Sequence, residues 1–299
     1  MNLDNRKKKK VVVFVPAYNE EKSIEELIHK IRNHYKNRKE FFIKIVVVDD
    51  GSKDRTAQIA KEAEADHIVS HPKNLGLGAA TISGLRQAYD MGADIAVKID
   101  ADLQYDYKDI EKVIIPILED KTDLCFGSRF LGKIEYRMPL YRRLGNAFFS
   151  FLTRLFTGLK VSDGQTGLIA VNKRYLRNFR LVQNYNETQQ IIIDGWRNQL
   201  RFMEVPVVFH KRDYGKSFIS LRYPFIVLPN ILRLFIHSSP LKIFLPVGTS
   251  FILISFILGY LVLFDKVKLF GDVSVLLFFI SGLQIILYGL VADIVAKKR

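Results

Sequence analysis

Cysteine is almost absent from these 299 residues: Cys125 stands alone, so no disulfide framework is available, and its setting in an apolar segment reads as core. His29, His34, His67, His71, His210 and His237 show no spacing that would hold zinc. The first ten residues are charged and contain no apolar h-region, so a secretory signal is not expected. Gly76-Leu-Gly-Ala-Ala80 imitates half of a dinucleotide fingerprint, but His71-Pro-Lys-Asn-Leu75 separates it from the preceding strand, which argues against a Rossmann cofactor. Acidic residues are outnumbered, 31 against 45 basic, for a formal net charge of +14. That excess suits an anionic membrane surface. No nucleic-acid module accompanies it, so nucleic acid is not an expected partner.

Long apolar runs are confined to the C-terminus. Phe244 to Phe264 and Val273 to Ala296 each reach the ~20 residues needed to cross a hydrocarbon core, and Asp265 to Asp272 separates them as a polar turn. A transmembrane hairpin over 241–299 is therefore expected, with spans at about 244–264 and 273–296. Lys297-Lys298-Arg299 and the run Arg6 to Lys10 would lie on one side, so both termini and the N-terminal domain, 1–220, are expected in the cytoplasm. Pro224 and Pro229 interrupt the apolar stretch between Arg222 and His237. It reads as interfacial amphipathic helices over 221–240, or as a linker packed on the catalytic domain.

The N-terminal half alternates strand and helix. Lys10 to Val15 reads as a buried strand that breaks at Pro16-Ala-Tyr-Asn-Glu-Glu21 and continues as a helix through Ile31. Ile43 to Val48 is a second strand, ending in Asp49-Asp50-Gly51-Ser52 before a helix from Thr56 to Ala65. Ligands of open α/β sheets sit outside the carboxyl ends of the strands, so Tyr18, Asn19, Asp49 and Asp50 are placed to meet one nucleotide, although Asp-Gly-Ser is also ordinary turn chemistry. A third strand ends in Lys98-Ile-Asp-Ala-Asp-Leu-Gln104. Asp100 and Asp102, two apart, would project together with Gln104 and offer oxygen ligands to Mg2+ or Mn2+ while leaving positions for phosphate oxygens. Taken alone, the pattern also fits capping of the helix after Tyr107.

Val15-Pro-Ala-Tyr-Asn-Glu20, Val48-Asp-Asp-Gly-Ser52, Asn74-Leu-Gly-Leu-Gly78, Asp100-Ala-Asp-Leu-Gln104, Gly127-Ser-Arg-Phe130, Ser162-Asp-Gly-Gln-Thr-Gly167, Glu204-Val-Pro206 and Arg212-Asp-Tyr-Gly-Lys-Ser217 follow one another in this order. Together they resemble the family 2 glycosyltransferases, and within them the polyprenyl-phosphate glycosyltransferases similar to dolichyl-phosphate mannose synthase. The resemblance covers nearly the whole chain. It implies an α/β fold of GT-A type, a Rossmann-like mostly parallel sheet flanked by helices. It also implies metal-dependent inverting transfer of a sugar from a nucleotide sugar, of GDP-mannose or UDP-glucose type, to a dolichyl or undecaprenyl phosphate at the cytosolic membrane face.

On that resemblance Pro16, Tyr18, Glu20, Asp49, Asp50, Gly78 and Asp100 belong to the donor site, and Asp100, Asp102 and Gln104 to the metal. Asp163 lies in the acceptor region and would orient the nucleophile. Arg129, Arg143, Arg212 and Lys216 are the candidates to grip the acceptor phosphate, since guanidinium forks suit phosphate. The chain departs from the family at Asn146-Ala147, where a small hydroxyl residue is common, and at Gln190, where a carboxylate is common and Glu187 is the nearest substitute. Transfer to a hydroxyl acceptor is the rival reading. It needs a positioned base, and processive members carry Gln-x-x-Arg-Trp, whereas here Trp196-Arg197 stands in the wrong order. A non-catalytic scaffold would be expected to have lost the carboxylates that are present. Self-association stays open.

Overall fold

A computed structural model describes residues 8–181, 186–212, 229, 236, 239–264 and 271–297. The chain divides into two compact units, Met1–Pro224 and Phe225–Arg299.

The first unit is built on a seven-stranded sheet: β1 (Lys9–Ala17), β2 (Phe41–Asp49), β3 (His67–Ser70), β4 (Ile95–Lys98), β5 (Leu124–Ile134), β6 (Ile169–Asn172) and β7 (Phe202–Phe209), in the order β3-β2-β1-β4-β6-β5-β7. Pairing is parallel throughout except where β6 runs antiparallel to both β4 and β5. Val11 to Val15 and Ile45 to Val48 are buried, as expected of parallel strands covered on both faces. Alternate residues feed two cores. Val11, Val13 and Val15 join Ile24, Leu27, Ile28 and Ile31 of α1 (Ile24–Tyr35) and Ile110, Val113 and Ile114 of α4 (Asp109–Leu118) on one face. Val12 and Phe14 join Ala80, Leu85 and Ala88 of α3 (Leu77–Asp90) and Ile191 and Ile192 of α7 (Glu187–Arg197) on the other. The expected mostly parallel, helix-flanked sheet is thus the observed architecture.

Several boundaries differ from the sequence reading. β1 runs on through Pro16, paired with Val48, to Ala17, because a proline so near a strand end costs one ladder bond at most. The first helix waits until Ile24: Asn19 takes a left-handed φ of 55°, and Ser23 Oγ donates to Glu20 Oε2 at 2.8 Å. α2 (Thr56–Glu62) stops short of Ala65, since Glu64 turns left-handed and the Ala63 N–H closes back on Ile59. The apolar segment around Cys125 is part of an eleven-residue β5, held by β7 across an irregularity between Ser128 and Lys133. Two further helices, α5 (Leu140–Thr157) and α6 (Lys173–Asn178), flank β6 in sequence.

The second unit contains α8 (Leu241–Leu263) and α9 (Asp272–Lys297). Both are long and apolar enough to cross a bilayer, and they fit a membrane hairpin. Ser255 Oγ of α8 donates to the Val275 carbonyl at 2.8 Å, which satisfies a hydroxyl within an apolar pair. The expected interfacial helices over 221–240 lie almost wholly outside the described residues.

Candidate active site

The carboxyl ends of β1, β2, β3 and β4 converge on one edge, and side chains stitch their loops together. Asn19 N–H donates to Ser52 Oγ (3.0 Å), Lys53 N–H to Asn19 Oδ1 (2.8 Å), and Glu20 N–H to Thr56 Oγ1 (2.8 Å). Asp49 accepts from Ser52 N–H at 3.0 Å. Asp50 is more heavily committed: its carboxylate accepts from the backbone N–H groups of Leu75 (2.9 Å) and Gly76 (2.8 Å) and lies 2.7 Å from His71 Nδ1. His71 Nε2 lies 2.9 Å from Ser83 Oγ on α3. A Cβ at Gly51, where φ is +72°, would sit 2.4 Å from the Lys73 carbonyl carbon, so glycine is required for the two loops to close. Asp50 therefore shapes the edge by holding the loop that starts α3, where Gly78 is buried in the first turn. Tyr18, after β1, is half-buried.

Beyond β4 the backbone leaves the strand, and Leu103 takes φ 58°. Asp100 and Asp102 thus reach the site from a turn and not from the alternation of an extended strand. Asp102 Oδ1 accepts from Gln104 N–H at 3.1 Å, and Asp106 accepts from Lys108 N–H at 2.9 Å in the turn before α4, whose first turn has no side-chain cap. The Gln104 side-chain amide donates to the His210 carbonyl at 3.1 Å, and His210 N–H donates to the Gln104 carbonyl at 2.7 Å. Gln104 thereby ties the turn to the end of β7, a contact that the expected third metal oxygen did not anticipate.

Two ionic clusters meet here. Lys98, 1% exposed, places Nζ 2.9 Å from Asp100 Oδ1 and 3.2 Å from Glu187 Oε1. The ammonium is the charged partner that Asp100 Oδ1 meets in this buried setting. Burial by itself would lower the lysine pKa; the charges of Asp100 and Glu187 overcome it and hold it above its ordinary value. On the other side Arg212 Nη2 lies 2.8 Å from Glu20 Oε1 and 3.4 Å from Asp102 Oδ2. Burial, reinforced by the Asp100 charge and opposed by Arg212, raises Asp102 to about 7. Burial also raises Glu20, against its hydrogen bond from Ser23 and the charge of Arg212. Gly167 makes room for this cluster, because a Cβ there would fall 1.9 Å from Asp100 Oδ2.

Arg129 and Asp163 have a different occupation. Arg129 forks onto Asp163, Nε to Oδ2 at 2.7 Å and Nη2 to Oδ1 at 2.8 Å, and Nη2 also donates to the Gln165 carbonyl at 2.9 Å. Asp163 is fully buried, and the Arg129 guanidinium lies over the Phe209 ring, 5.0 Å from its centroid. Glu204 fastens the same loop by accepting from Ser162 N–H (2.8 Å), Ser162 Oγ (2.7 Å) and Asp163 N–H (3.0 Å). The motifs around 127–130, 162–167 and 204–206 thus form one brace. In this arrangement the Arg129 fork is engaged by Asp163 in a buried, bidentate pair. Arg143 is exposed on α5, and Asn146, at the position of the family hydroxyl, donates to the Ser162 carbonyl at 3.3 Å. Lys216 lies outside the described residues.

Sequence reasoning passed over Lys98. The signal was present, a lone lysine in the apolar run Ile95 to Ile99 two residues ahead of Asp100. Among the described residues no three His, Cys, Asp or Glu side chains form a ready metal cage.

A mostly parallel sheet with loops, carboxylates and an arginine gathered at its carboxyl edge is the arrangement in which open α/β sheets bind their ligands. The model of glycosyl transferase family 2 matches residues 12–180, and that of the GtrB C-terminal hairpin matches residues 239–297. The chain belongs to glycosyl transferase family 2 and is a glycosyltransferase. It is 38% identical over 230 residues to the UDP-N-acetylglucosamine--dolichyl-phosphate N-acetylglucosaminyltransferase of Methanococcus voltae, covering 70% of this chain and 89% of that one. It is 31% identical to the dolichol-phosphate mannosyltransferase of Pyrococcus furiosus, covering 75% of this chain and 63% of the relative. Among solved structures, glucosyl-3-phosphoglycerate synthase from Mycobacterium tuberculosis, in complex with Mn2+, uridine diphosphate and phosphoglyceric acid, has the same fold. Its TM-score is 0.57 at 20% identity, covering 78% of each chain.

Proposed function

We propose that this chain transfers a sugar from a nucleotide diphosphate sugar to a polyprenyl phosphate at the cytosolic face of a membrane. The observation that carries the reading is the gathering of Asp100, Asp102, Glu20 and Arg212 at the carboxyl edge of the sheet. The acceptor class is supported by the dolichyl-phosphate and dolichol-phosphate transferases to which the chain is similar and by its hairpin family. A phosphate oxygen of the lipid would attack the anomeric carbon. The bond from that carbon to the donor diphosphate breaks, and the nucleoside diphosphate leaves with the electron pair, so the anomeric configuration inverts. A lipid phosphate has a second pKa of about 6 and is already a competent nucleophile at neutral pH, so no strong base is needed.

The hard oxygens of Asp100 and Asp102 fit Mg2+ or Mn2+, which commonly takes one or two carboxylates plus substrate phosphates, and a cation would relieve the repulsion by which the Asp100 charge raises Asp102. Such an ion, when bound, supplies charge stabilisation to the leaving diphosphate. Lys98 and Glu187 would hold Asp100 in place, and the loops carrying Tyr18, Asp49 and Asp50 would seat the nucleoside. Arg129, Arg143, Arg212 and Lys216 are the proposed cations for the acceptor phosphate, with Asp163 holding the Arg129 guanidinium.

The test is to incubate purified protein and polyprenyl phosphate with a panel of labelled nucleotide sugars, with and without divalent cation, and to count label extracted into organic solvent. Label in the lipid fraction with one donor is the expected result. Label only on soluble hydroxyl acceptors would replace the lipid phosphate by a hydroxyl acceptor.

A further inference from the structure

Lys98 stands where the sheet calls for an apolar side chain. It ends β4 in register with Phe14 of β1 and Ile169 of β6, both buried. By the alternation of the strand it shares the face of Ala96, the one covered by α3 and α7, where Phe14, Ile169, Ile191 and Ile192 form the core. A buried ion pair in such a place is often no more stabilising than well-packed apolar residues of similar volume, so stability alone does not account for the lysine.

Its two carboxylate partners do not need it equally. Glu187 is the first residue of α7, and a carboxylate in the first turn of a helix is already favoured by the helix dipole. Asp100 has no such support: it sits in the turn that leaves β4, and its charge and that of Asp102 oppose each other. Lys98 Nζ meets Asp100 Oδ1, which is buried, whereas the Asp100 side chain as a whole is 30% exposed. The lysine therefore takes the closed side of the carboxylate and leaves its open side to the site. Oδ2 is set from the other direction by the backbone at Gly167, where a Cβ would fall 1.9 Å away.

A lysine so near a metal ligand also repels the metal. Glu187, 3.2 Å from the same Nζ, offsets that repulsion. With all groups ionised, the carboxylates of Glu20, Asp100, Asp102 and Glu187 stand against the two cations Lys98 and Arg212, so the cluster keeps two negative charges, the complement of one divalent ion. We infer that Lys98 is a positioning residue of the metal site: it fixes the Asp100 carboxylate through Oδ1, and Glu187 screens its charge from the bound ion. The inference rests on the metal reading of Asp100 and Asp102.

Mn2+ alone would be titrated into detergent-solubilised full-length protein and the free ion followed by its electron paramagnetic resonance signal, for the wild-type chain and for Lys98→Met, Glu187→Gln, the double variant and Asp102→Asn. Thermal unfolding without metal would be recorded for each. Lys98→Met should weaken Mn2+ binding by roughly 10–100-fold, the usual cost of losing a group that orients a metal's ligand, although the change removes a nearby positive charge. Glu187→Gln should also weaken it, since the lysine is then unscreened. The double variant should unfold at a higher temperature than Lys98→Met, because Glu187 no longer leaves an uncompensated buried charge, yet bind Mn2+ as weakly. Wild-type or tighter Mn2+ binding by Lys98→Met would overturn the inference. So would a double variant that recovers Mn2+ affinity together with stability, since Lys98 would then only neutralise Glu187. Unchanged binding in Glu187→Gln would overturn the screening role. No Mn2+ uptake by the wild-type chain, or uptake that Asp102→Asn leaves unaltered, would overturn the metal reading itself and this inference with it.

Discussion

At the residue scale the site depends on charges that would be costly to bury alone. Asp102 is raised to about 7 by burial and by Asp100, far above the 3.8 of an unfolded aspartate. Between about pH 4 and pH 7 the folded, metal-free chain binds more protons than the unfolded one, so this group's contribution to stability falls as pH rises. A divalent cation that replaces the proton should remove the loss. The rise in thermal unfolding temperature on adding Mn2+ should therefore be larger at about pH 8 than at about pH 5, and a pH-independent rise would count against Asp102 as a ligand. Asp102→Asn keeps the volume and removes the charge. It should reduce sugar transfer by at least about a hundredfold while leaving the circular dichroism spectrum unchanged. Wild-type turnover with unaltered metal dependence would refute the assignment.

At the scale of elements, turns and braces aim the chemistry, and the strands serve as their platform. The turn after β4 carries Asp100 against Gly167, which begins the stretch into β6, so the two elements are set by a contact that tolerates no side chain. Gly167→Ala should push the Asp100 carboxylate aside. The expected stability loss, by denaturant unfolding, is about 1–3 kcal/mol, as for other overpacked sites. The larger effect should be on kcat and on the metal concentration needed for half-maximal rate. Unchanged kinetics with the same stability loss would show that Asp100 need not hold its observed place.

At the scale of the whole molecule, the chain separates the unit built on the sheet from a pair of apolar helices. If the hairpin serves to confine the enzyme where its acceptor resides, a chain ending at residue 224 should still bind nucleoside diphosphate with metal, measured by calorimetry. It should transfer sugar poorly to a long polyprenyl phosphate yet recover part of its rate on a short, water-soluble prenyl phosphate, because shared confinement raises effective concentration only for the bilayer-bound acceptor. Loss of nucleotide binding in a folded truncated chain would instead mean that the C-terminal unit helps to build the donor site.

Much of this was legible without coordinates. Apolar runs such as Val11 to Val15 and Ile45 to Val48 have only one economical fate, a sheet covered on both faces, and the two apolar segments after Leu241 are too long for an ordinary core helix. The ordered motifs gave the family. What only the tertiary structure decided is the pairing of charges. Lys98 meets Glu187 across 89 residues, Arg212 meets Glu20 across 192, and Arg129 is taken by Asp163 across 34. Local pattern carries no information about such partners, because a carboxylate's neighbours depend on which strand ends and loops the sheet order brings to one edge. For the same reason only the packing reveals that Asn146, Ser150 and Thr153 of α5 face the protein.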